Sequence, residues 1–190
     1  GAGQIQSMSK LFHAVPENLA SDFIRLQQNF IDAVGSDVKN WFWGKQKESP
    51  FMGELACVWL GSQFAFDWSC RHPEWLQAIF LADDDGELLV DCQPTYEDFS
   101  RELDGLLSGV ESEEGLMQAL RLFRQQQMLR IIWRDITRRA ATLETTAALT
   151  ALADICLRAA VDFLYPRLCN ELGTPYSSAG IAQSFLVLGM

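Results

Sequence analysis

Basic residues, histidines and long apolar runs are scarce in this sequence of 190 residues. Fifteen Lys and Arg against 25 Asp and Glu give a formal net charge of −10 and a pI near 4.6. Binding to nucleic acid or to an anionic membrane surface depends on clustered Lys and Arg, so this balance argues against both. No apolar run reaches the roughly 18 residues that a membrane span needs. We therefore expect neither nucleic acid nor a membrane among the partners.

Metal-ligating residues are few as well. His13 and His72 are the two histidines, and the five cysteines contain no CxxC pair, so a structural zinc site has few candidate ligands. An odd number of cysteines, most of them on apolar helical faces, is typical of a reducing compartment, and we expect a cytoplasmic protein. We interpret all five as small core hydrophobes: Cys57, Cys70, Cys92, Cys156 and Cys169.

Apolar residues are plentiful, at 48% of the chain with twelve Phe and six Trp, which is enough for a sizeable core. Their spacing predicts an all-α fold, a multi-helix bundle, of one domain or one domain plus a fragment of another. Thr95 with Asp98 predicts a capping box, and Ser112 predicts the start of the longest helix. The predicted helices cover residues 16–34, 51–71, 73–81, 95–107, 113–139 and a last one from 142 or 145, which Pro166 should kink or end.

Three segments are predicted to be non-helical. The connection between the first two helices carries Trp41, Phe42 and Trp43, which we interpret as a satellite aromatic cluster under a loop rather than a ligand platform. Residues 88–92 could form a short strand. Residues 184–190 indicate a buried strand that runs into Gly189, which is how many phosphate-handling turns begin. The predicted division is therefore a helical region over residues 1–180 and the first strand of a truncated catalytic domain over 181–190.

The longest helix carries an unusual set of arginines for an acidic protein. Arg130, Arg134 and Arg138 are spaced by four residues, and like charges at this spacing repel by roughly 0.2–0.5 kcal/mol per pair. Asp135 can pair with Arg138 and with Arg139, three and four residues on. Two interpretations of Arg130 and Arg134 stay open. They form an interhelical ion pair with Asp154 or Asp162, which we favour, or they contact an anion such as a nucleotide phosphate or a partner's carboxylate.

Residues with catalytic chemistry are not arranged in a convincing pattern. Asp83 and Asp85 have the D-x-D spacing by which alternating carboxylates on a strand hold Mg²⁺, but they follow a helix in a turn, and a solvated turn is the better interpretation. His72 precedes Pro73 at a helix break and is interpreted as structural. We assign no catalytic, cofactor-binding or metal-binding residue, and no cofactor, to these 190 residues.

Eight short segments are informative in their order along the chain: residues 62–64, 71–76, 120–124, 129–131, 134–136, 151–154, 173–175 and 185–190. In this order they resemble the glutamine synthetase adenylyltransferase family, whose bifunctional members attach AMP to glutamine synthetase and remove it. The resemblance covers about residues 51–190. In the family the last of these segments continues into Gly-Lys-Leu-Gly-Gly and then a D-x-D strand.

The resemblance implies that the chain is an N-terminal helical portion of the deadenylylating half, truncated before its nucleotidyltransferase active site and inactive alone. It implies phosphorolysis of adenylyl-tyrosine by the parent enzyme, with Mg²⁺ and ATP or ADP, and glutamine synthetase and the PII signal protein as partners. The D-x-D ligands would lie beyond Met190. Arg130, Arg134 and Asp135 match the family pattern without an implied role. The alternative is a stand-alone helical module that binds glutamine synthetase or PII.

Overall fold

The structure is a computed structural model that describes residues 17–48, 50–82 and 84–187. These residues form eight helices and no strand, apart from isolated bridges between Ala82 and Leu88 and between Tyr176 and Ala182. The predicted all-α class is confirmed. The helices are α1 (Glu17–Ala33), α2 (Ser36–Lys45), α3 (Phe51–Gly61), α4 (Gln63–Arg71), α5 (Pro73–Ile79), α6 (Tyr96–Leu107), α7 (Glu113–Ile136) and α8 (Thr142–Leu172).

The chain divides into two compact units. The first comprises residues 1–93 and 128–145, and the second comprises residues 94–127 and 146–190. The first unit therefore contains α1 to α5, the carboxyl-terminal part of α7 and the first turn of α8. The second contains α6 and the remainder of α7 and α8. None of the described helices is both long enough and apolar enough to cross a membrane.

Aromatic side chains form the core of the first unit. The fully buried Trp59 ring lies 5.1 Å from Phe30 and is stacked at 6.3 Å on Phe42, measured between ring centroids. Phe80 contacts Trp133 edge to face at 5.2 Å. Rings of this size each bury a large apolar area, and tilted or edge-on pairs are their favoured geometry. This cluster joins α1, α2, α3 and α7 into one hydrophobic core.

The segment predicted as an aromatic loop is in fact the helix α2, and this prediction was wrong. Phe42 is fully buried and belongs to the main core, whereas Trp43 is half-exposed. Gly35 has an extended backbone before α2, and Asp37 lies in the first turn, where a negative charge is favoured by the helix dipole. The aromatic run hid the helical period because its three consecutive rings are all apolar, although Phe42 is buried, Trp41 is half-buried against Phe51 and Phe80, and Trp43 is exposed.

The second predicted helix is interrupted. Ser62 separates α3 from α4 with an extended backbone, and its hydroxyl accepts a hydrogen bond from the Ala65 backbone N–H at 3.2 Å. A serine at this position caps the new helix by satisfying one of its free N–H groups. The redirected α4 also places the Ser69 hydroxyl 3.2 Å from Trp59 Nε1, so the buried indole N–H has an acceptor.

The second unit is built around α6, α7 and α8. Its capping box is confirmed: the Thr95 hydroxyl accepts from the Asp98 backbone N–H, and the Asp98 carboxylate accepts from the Thr95 N–H, both at 3.1 Å. Phe99 and Phe123 contact edge to face at 6.2 Å. The buried Gln127 side chain donates to the Glu102 carboxylate. Both predicted helix starts on this unit, at Thr95 and Ser112, hold.

Helix α8 continues through Pro166, which was predicted to kink or end it. A proline removes one backbone hydrogen bond and crowds the preceding turn. Arg167 spans that turn, because its Nη1 donates to the Phe163 carbonyl at 2.6 Å and its guanidinium lies 3.4 Å from the Phe163 ring centroid. The helix ends at Leu172, and Gly173 follows with φ +91°.

Neither predicted strand is seen among the described residues. Residues 88–92 form a turn with a buried Val90, whose carbonyl bonds a side chain instead of a neighbouring strand. Residues 184–187 are exposed and irregular, and residues 188–190 lie outside the described residues. A strand needs a neighbour for its backbone groups, and the described tail makes a single bridge, at Ala182. The predicted division at residue 180 stays a prediction.

The cysteines are not core residues, contrary to the prediction. Cys57 is exposed and the other four are half-buried. Cys57, Cys70, Cys156 and Cys169 lie on helices whose composition suggested burial, whereas Cys92 lies in the turn before α6.

Candidate functional site

The arginines of α7 converge on one feature of the first unit, the turn formed by residues 81–92. Arg130 and Arg134 are each 4% exposed, one helical turn apart on α7. Arg130 Nη2 donates to the Cys92 carbonyl at 2.8 Å, and Arg134 Nη1 donates to the Val90 carbonyl at 2.7 Å. Two buried guanidinium groups thus hold the backbone of the turn against α7. We call this arrangement the arginine latch.

A third arginine ties the latch to a second helix. Arg139 Nη1 lies 2.7 Å from Glu54 Oε1 on α3, and Arg139 Nε lies 2.7 Å from Asp91 Oδ1 in the turn. Trp133 Nε1 donates to the other oxygen of Glu54 at 3.3 Å. Burial alone would lower the pKa of Arg139, but hydrogen bonds to Asp91 and Glu54 and the charges of these carboxylates raise it above its ordinary value. The guanidinium therefore stays charged between its two carboxylates.

The end of α7 is shaped so that Arg139 can reach both partners. Arg138 adopts a left-handed backbone with φ +59°. The Arg139 N–H donates to the Arg134 carbonyl at 2.8 Å and the Arg138 N–H to the Asp135 carbonyl at 3.1 Å. This is the Schellman pattern, in which the left-handed position is usually glycine. A non-glycine residue there costs free energy, because its Cβ crowds the backbone.

Asp135 lies beside the latch rather than within it. The sequence predicted that it pairs with Arg138 and Arg139, but its carboxylate accepts from the Thr145 hydroxyl at 2.8 Å, and Arg139 pairs with Glu54 and Asp91 instead. Asp135 is exposed and links the end of α7 to the first turn of α8.

The two interpretations of Arg130 and Arg134 assumed a charged partner. The contacts that hold the turn are instead with backbone carbonyl oxygens of Cys92 and Val90. Asp154 lies 3.8 Å from Arg158 on its own helix, and an ion pair of the α7 arginines with a carboxylate of α8 stays a prediction. A guanidinium has five N–H donors in a planar fork, so it suits carbonyl groups of a turn that has no ladder of its own. A contact of these arginines with an anion stays a prediction.

The other sequence candidates are not drawn into the latch. Asp85 is exposed in the turn before Gly86, and Asp83 lies outside the described residues. His72 lies at the break between α4 and α5, where its ring stacks on Trp75 at 3.9 Å and Nδ1 is 2.9 Å from Glu74 Oε1. Across residues 17–48, 50–82 and 84–187, no three His, Cys, Asp or Glu side chains are grouped closely enough to hold a metal ion.

Sequence reasoning missed the two carboxylates of the latch. Glu54 is the one charged residue on α3, a helix that is otherwise apolar, and this isolation was a usable signal. Asp91 gave none, because it lies in a turn among other acidic residues. Pairing across 48 and 85 residues of sequence, from Arg139 to Asp91 and Glu54, arises only when the helices pack.

These contacts define a class of protein. It is an all-helical protein in which buried arginines, Arg130 and Arg134, donate hydrogen bonds to carbonyl groups of its own backbone. The sequence profile of the glutamate-ammonia ligase adenylyltransferase family matches residues 52–190. The chain belongs to that family.

Relatives from three Shewanella species are similar over most of this chain. Each is named bifunctional glutamine synthetase adenylyltransferase/adenylyl-removing enzyme. The Shewanella loihica protein is 36% identical over 137 residues, 72% of this chain and 14% of its own length. The Shewanella woodyi protein is 37% identical over 129 residues, with 68% and 13% covered, and the Shewanella frigidimarina protein is 37% identical over 137 residues, with 72% and 14% covered. The chain thus spans about a seventh of these relatives.

Proposed function

We propose that this chain is the N-terminal helical part of the deadenylylating half of an enzyme that adenylylates and deadenylylates glutamine synthetase. In this proposal it supports a nucleotidyltransferase active site formed by further residues of a longer protein, and it is inactive alone. Family membership over residues 52–190 and the names of the Shewanella relatives support the parent activity. The short share of the relatives that it matches supports a part rather than the whole enzyme.

One structural observation supports a scaffold role in particular. Arg134 is buried, and its two terminal nitrogens donate to the Val90 carbonyl at 2.7 Å and the Arg139 carbonyl at 3.4 Å. A guanidinium that binds a phosphate presents this same fork to the ligand. Here the fork is directed at the protein's own backbone, which suits a residue that stiffens the helical body.

The chemistry of the parent reaction belongs, in this proposal, to the remainder of the longer protein. Mg²⁺ would neutralise the phosphate of the adenylyl group. In the removing direction inorganic phosphate would displace the tyrosine oxygen and give ADP, and in the attaching direction ATP would donate the adenylyl group and release diphosphate. The described residues do not fit a Mg²⁺ site, since Asp85 stands in an exposed turn and no group of three metal-ligating side chains is formed. In this proposal no residue of this chain takes part in a step of the reaction.

The test is an assay of the purified chain, with Mg²⁺ and inorganic phosphate present, for release of ADP from adenylylated glutamine synthetase. We expect no release above the rate without protein, and release by the enzyme translated from the full reading frame. Turnover by the isolated chain would overturn the proposal. The Arg134→Met variant, in the longer enzyme, should lose activity in proportion to its loss of folded protein, with KM unchanged in the folded fraction.

A second candidate is a helical module that binds glutamine synthetase or the PII signal protein. The observation in its favour is the turn of residues 84–87, which is exposed and acidic and is flanked by a backbone that the arginine latch fixes. A fixed acidic turn on a protein of net charge −10 suits electrostatic recognition of a basic surface.

Pull-down of each partner with the purified chain separates the two candidates. A scaffold should retain neither partner above background. Retention that weakens with salt, and that the double change Asp84→Asn and Asp85→Asn abolishes, would favour the binding module. The double change Glu113→Gln and Glu114→Gln, also at exposed acidic positions, is the matched control of equal charge.

A further inference from the structure

Two exposed arginines of α7 take no part in the arginine latch. Arg121 and Arg124 are three residues apart in the part of α7 that belongs to the second unit, and both are exposed. Met117, four residues before Arg121, is 65% exposed. Residues at i, i+4 and i+7 lie on one side of a helix. We call these three residues, Met117, Arg121 and Arg124, the α7 outer face.

Neither arginine of the α7 outer face is neutralised by the protein itself. Other exposed arginines pair with a carboxylate one helical turn away, as Arg101 does with Asp98 at 3.4 Å. The residues three and four positions from Arg121 and Arg124 are Met, Leu, Gln and Arg, and neither arginine forms an ion pair with another residue that the structure describes. The nearest acidic residue of α7, Glu114, is seven positions from Arg121, or about 10 Å along the axis. The chain therefore keeps two like charges one turn apart, where they repel each other, without an internal partner.

The α7 outer face borders α8. The charge of Arg124 acts to lower the pKa of the Cys156 thiol on α8, although burial is the larger effect and leaves that pKa raised. Such an effect weakens with distance, so Arg124 lies beside α8. Because both arginines are within a helix and not in a loop, their backbone positions are set before any partner binds, which lowers the entropic cost of binding.

The α7 outer face has the composition of a protein-binding surface. Arg and Met are among the residues enriched at protein–protein interfaces, and a guanidinium binds a carboxylate through two parallel hydrogen bonds. Cβ atoms three residues apart on a helix are about 5–6 Å from each other, so Arg121 and Arg124 can bind two carboxylates of one short segment. Met117 adds an apolar contact beside them. An inorganic anion would gain nothing from the methionine, whereas a polypeptide segment would cover it.

We propose that the α7 outer face docks an acidic segment on the surface of the protein that the longer enzyme modifies. This inference rests on the proposed function, in which that enzyme acts on a protein. A chain of net charge −10 repels an acidic partner over most of its surface, so a local pair of arginines determines where and in which orientation the partner approaches. Exposed ion pairs are individually weak, so this contact adds to the affinity of the longer enzyme and does not by itself retain the partner on this chain.

The test uses the enzyme translated from the full reading frame, with adenylylated glutamine synthetase and inorganic phosphate as its two substrates. The double change Arg121→Gln and Arg124→Gln should raise KM for the protein substrate on the order of 10-fold, with kcat and KM for phosphate unchanged. Arg121→Lys with Arg124→Lys keeps both charges and should recover part of that loss. Added salt screens exposed charges, so it should narrow the difference in KM between the wild type and the glutamine variant.

The matched control is Arg25→Gln with Arg101→Gln, which removes the same charge at two other exposed positions and should leave both KM values unchanged. In this chain alone, the glutamine changes at Arg121 and Arg124 should not lower the thermal midpoint, because they remove a repulsion between like charges. A midpoint that falls by several degrees would mean that the two arginines serve the fold, and it would overturn the inference.

The remaining outcomes separate the inference from the proposed function. A longer enzyme without activity on adenylylated glutamine synthetase overturns both. An active enzyme whose glutamine variant keeps the wild-type KM for the protein substrate overturns the inference alone. A raised KM for phosphate would assign the arginines to a small anion. A thermal midpoint of the longer enzyme that falls well below that of the control variant would assign the face to another part of the same polypeptide. Either of these results also overturns the inference.

Discussion

Arg134 shows how one residue can fix a segment that has no regular structure of its own. Its guanidinium satisfies the Val90 carbonyl, which would otherwise be buried without a partner. A carbonyl that loses its donor in a buried site costs roughly 1–3 kcal/mol. The Arg134 guanidinium stabilises the turn through its N–H donors, and this hydrogen bonding does not require a carboxylate partner.

The first prediction follows directly. Arg134→Met keeps much of the side-chain volume but removes the donors, so we expect the free energy of unfolding to fall by about 1–3 kcal/mol. Urea denaturation followed by tryptophan fluorescence measures it. Arg25→Met, at an exposed position of α1 in the same unit, should change stability by less than about 0.5 kcal/mol. Equal effects of the two changes would mean that the hydrogen bonds of Arg134 in the arginine latch do not contribute to the free energy of unfolding.

The strained Arg138 gives a prediction of opposite sign. Arg138→Gly relieves the left-handed conformation at φ +59°, and we expect a gain of about 0.5–1 kcal/mol in the free energy of unfolding. Arg138→Ala keeps the Cβ and removes the same charge, so it should give no such gain. A gain from alanine as large as that from glycine would trace the effect to charge instead of backbone strain.

Cys70 gives a prediction about pH. Burial, with a smaller contribution from the charge of Asp67, raises the pKa of its thiol from 9.0 to about 11. The unfolded chain therefore loses this proton first, and the contribution of Cys70 to stability is present below pH 9 and is lost between about pH 9 and pH 11. Alkylation of Cys70 by iodoacetamide should rise to half its maximum near pH 11, whereas the exposed Cys57 should react faster at pH 8. A Cys70→Ser variant serves to assign the two rates.

At the scale of the element, capping residues determine where the helices begin and end. Ser62 begins α4, the Thr95 and Asp98 pair begins α6, and Gly173 follows the end of α8 with a left-handed backbone. Each device satisfies backbone groups that a helix end leaves free. The exception is Pro166, which lies inside α8 and whose turn is spanned by Arg167.

Pro166 therefore yields a test on its own helix. Pro166→Ala restores a backbone donor and removes the ring, and alanine is favoured over proline within a helix by up to roughly 3 kcal/mol. We expect a higher helical signal in circular dichroism and a gain in stability. Pro166→Ala should also restore part of the stability that Arg167→Ala removes. The double variant should therefore be more stable than Arg167→Ala alone. A loss of stability on Pro166→Ala would show that the proline itself stabilises the folded chain.

At the scale of the whole molecule, two continuous helices contribute residues to both compact units. α7 and α8 each cross the division, at residues 127–128 and 145–146. All six tryptophans belong to the first unit. Tryptophan fluorescence therefore reports the unfolding of the first unit alone, which makes the coupling of the two units measurable.

We expect Phe99→Ala, in the core of the second unit, to lower the midpoint of the fluorescence transition of the first. Removing a buried phenylalanine costs about 3–5 kcal/mol, and the shared helices should transmit part of that loss. Phe30→Ala, in the core of the first unit, is the comparison of equal chemistry. An unchanged fluorescence midpoint in Phe99→Ala, with a second transition in circular dichroism, would show that the units unfold independently.

The sequence by itself determined the helical class, most helix starts and the family, because these depend on local properties. Apolar residues at helical spacing, the capping box at Thr95 and the hydroxyl of Ser112 act within a few residues of chain. The arginines were likewise recognisable as unusual from their spacing alone. Their partners were not, since Val90, Cys92 and Glu54 lie 38 to 85 residues away from them in sequence.

The tertiary structure decided where each helix face points and which groups meet. Phe42 is buried and Trp43 is not, although they are neighbours of similar character, because one faces Trp59 and the other faces solvent. The terminal segment has a strand-like composition but no strand among its described residues, because a strand is completed by hydrogen bonds that only another segment can supply. The local sequence sets which secondary structure a segment prefers. The segments that the fold packs against it decide which structure it adopts and which of its side chains are buried.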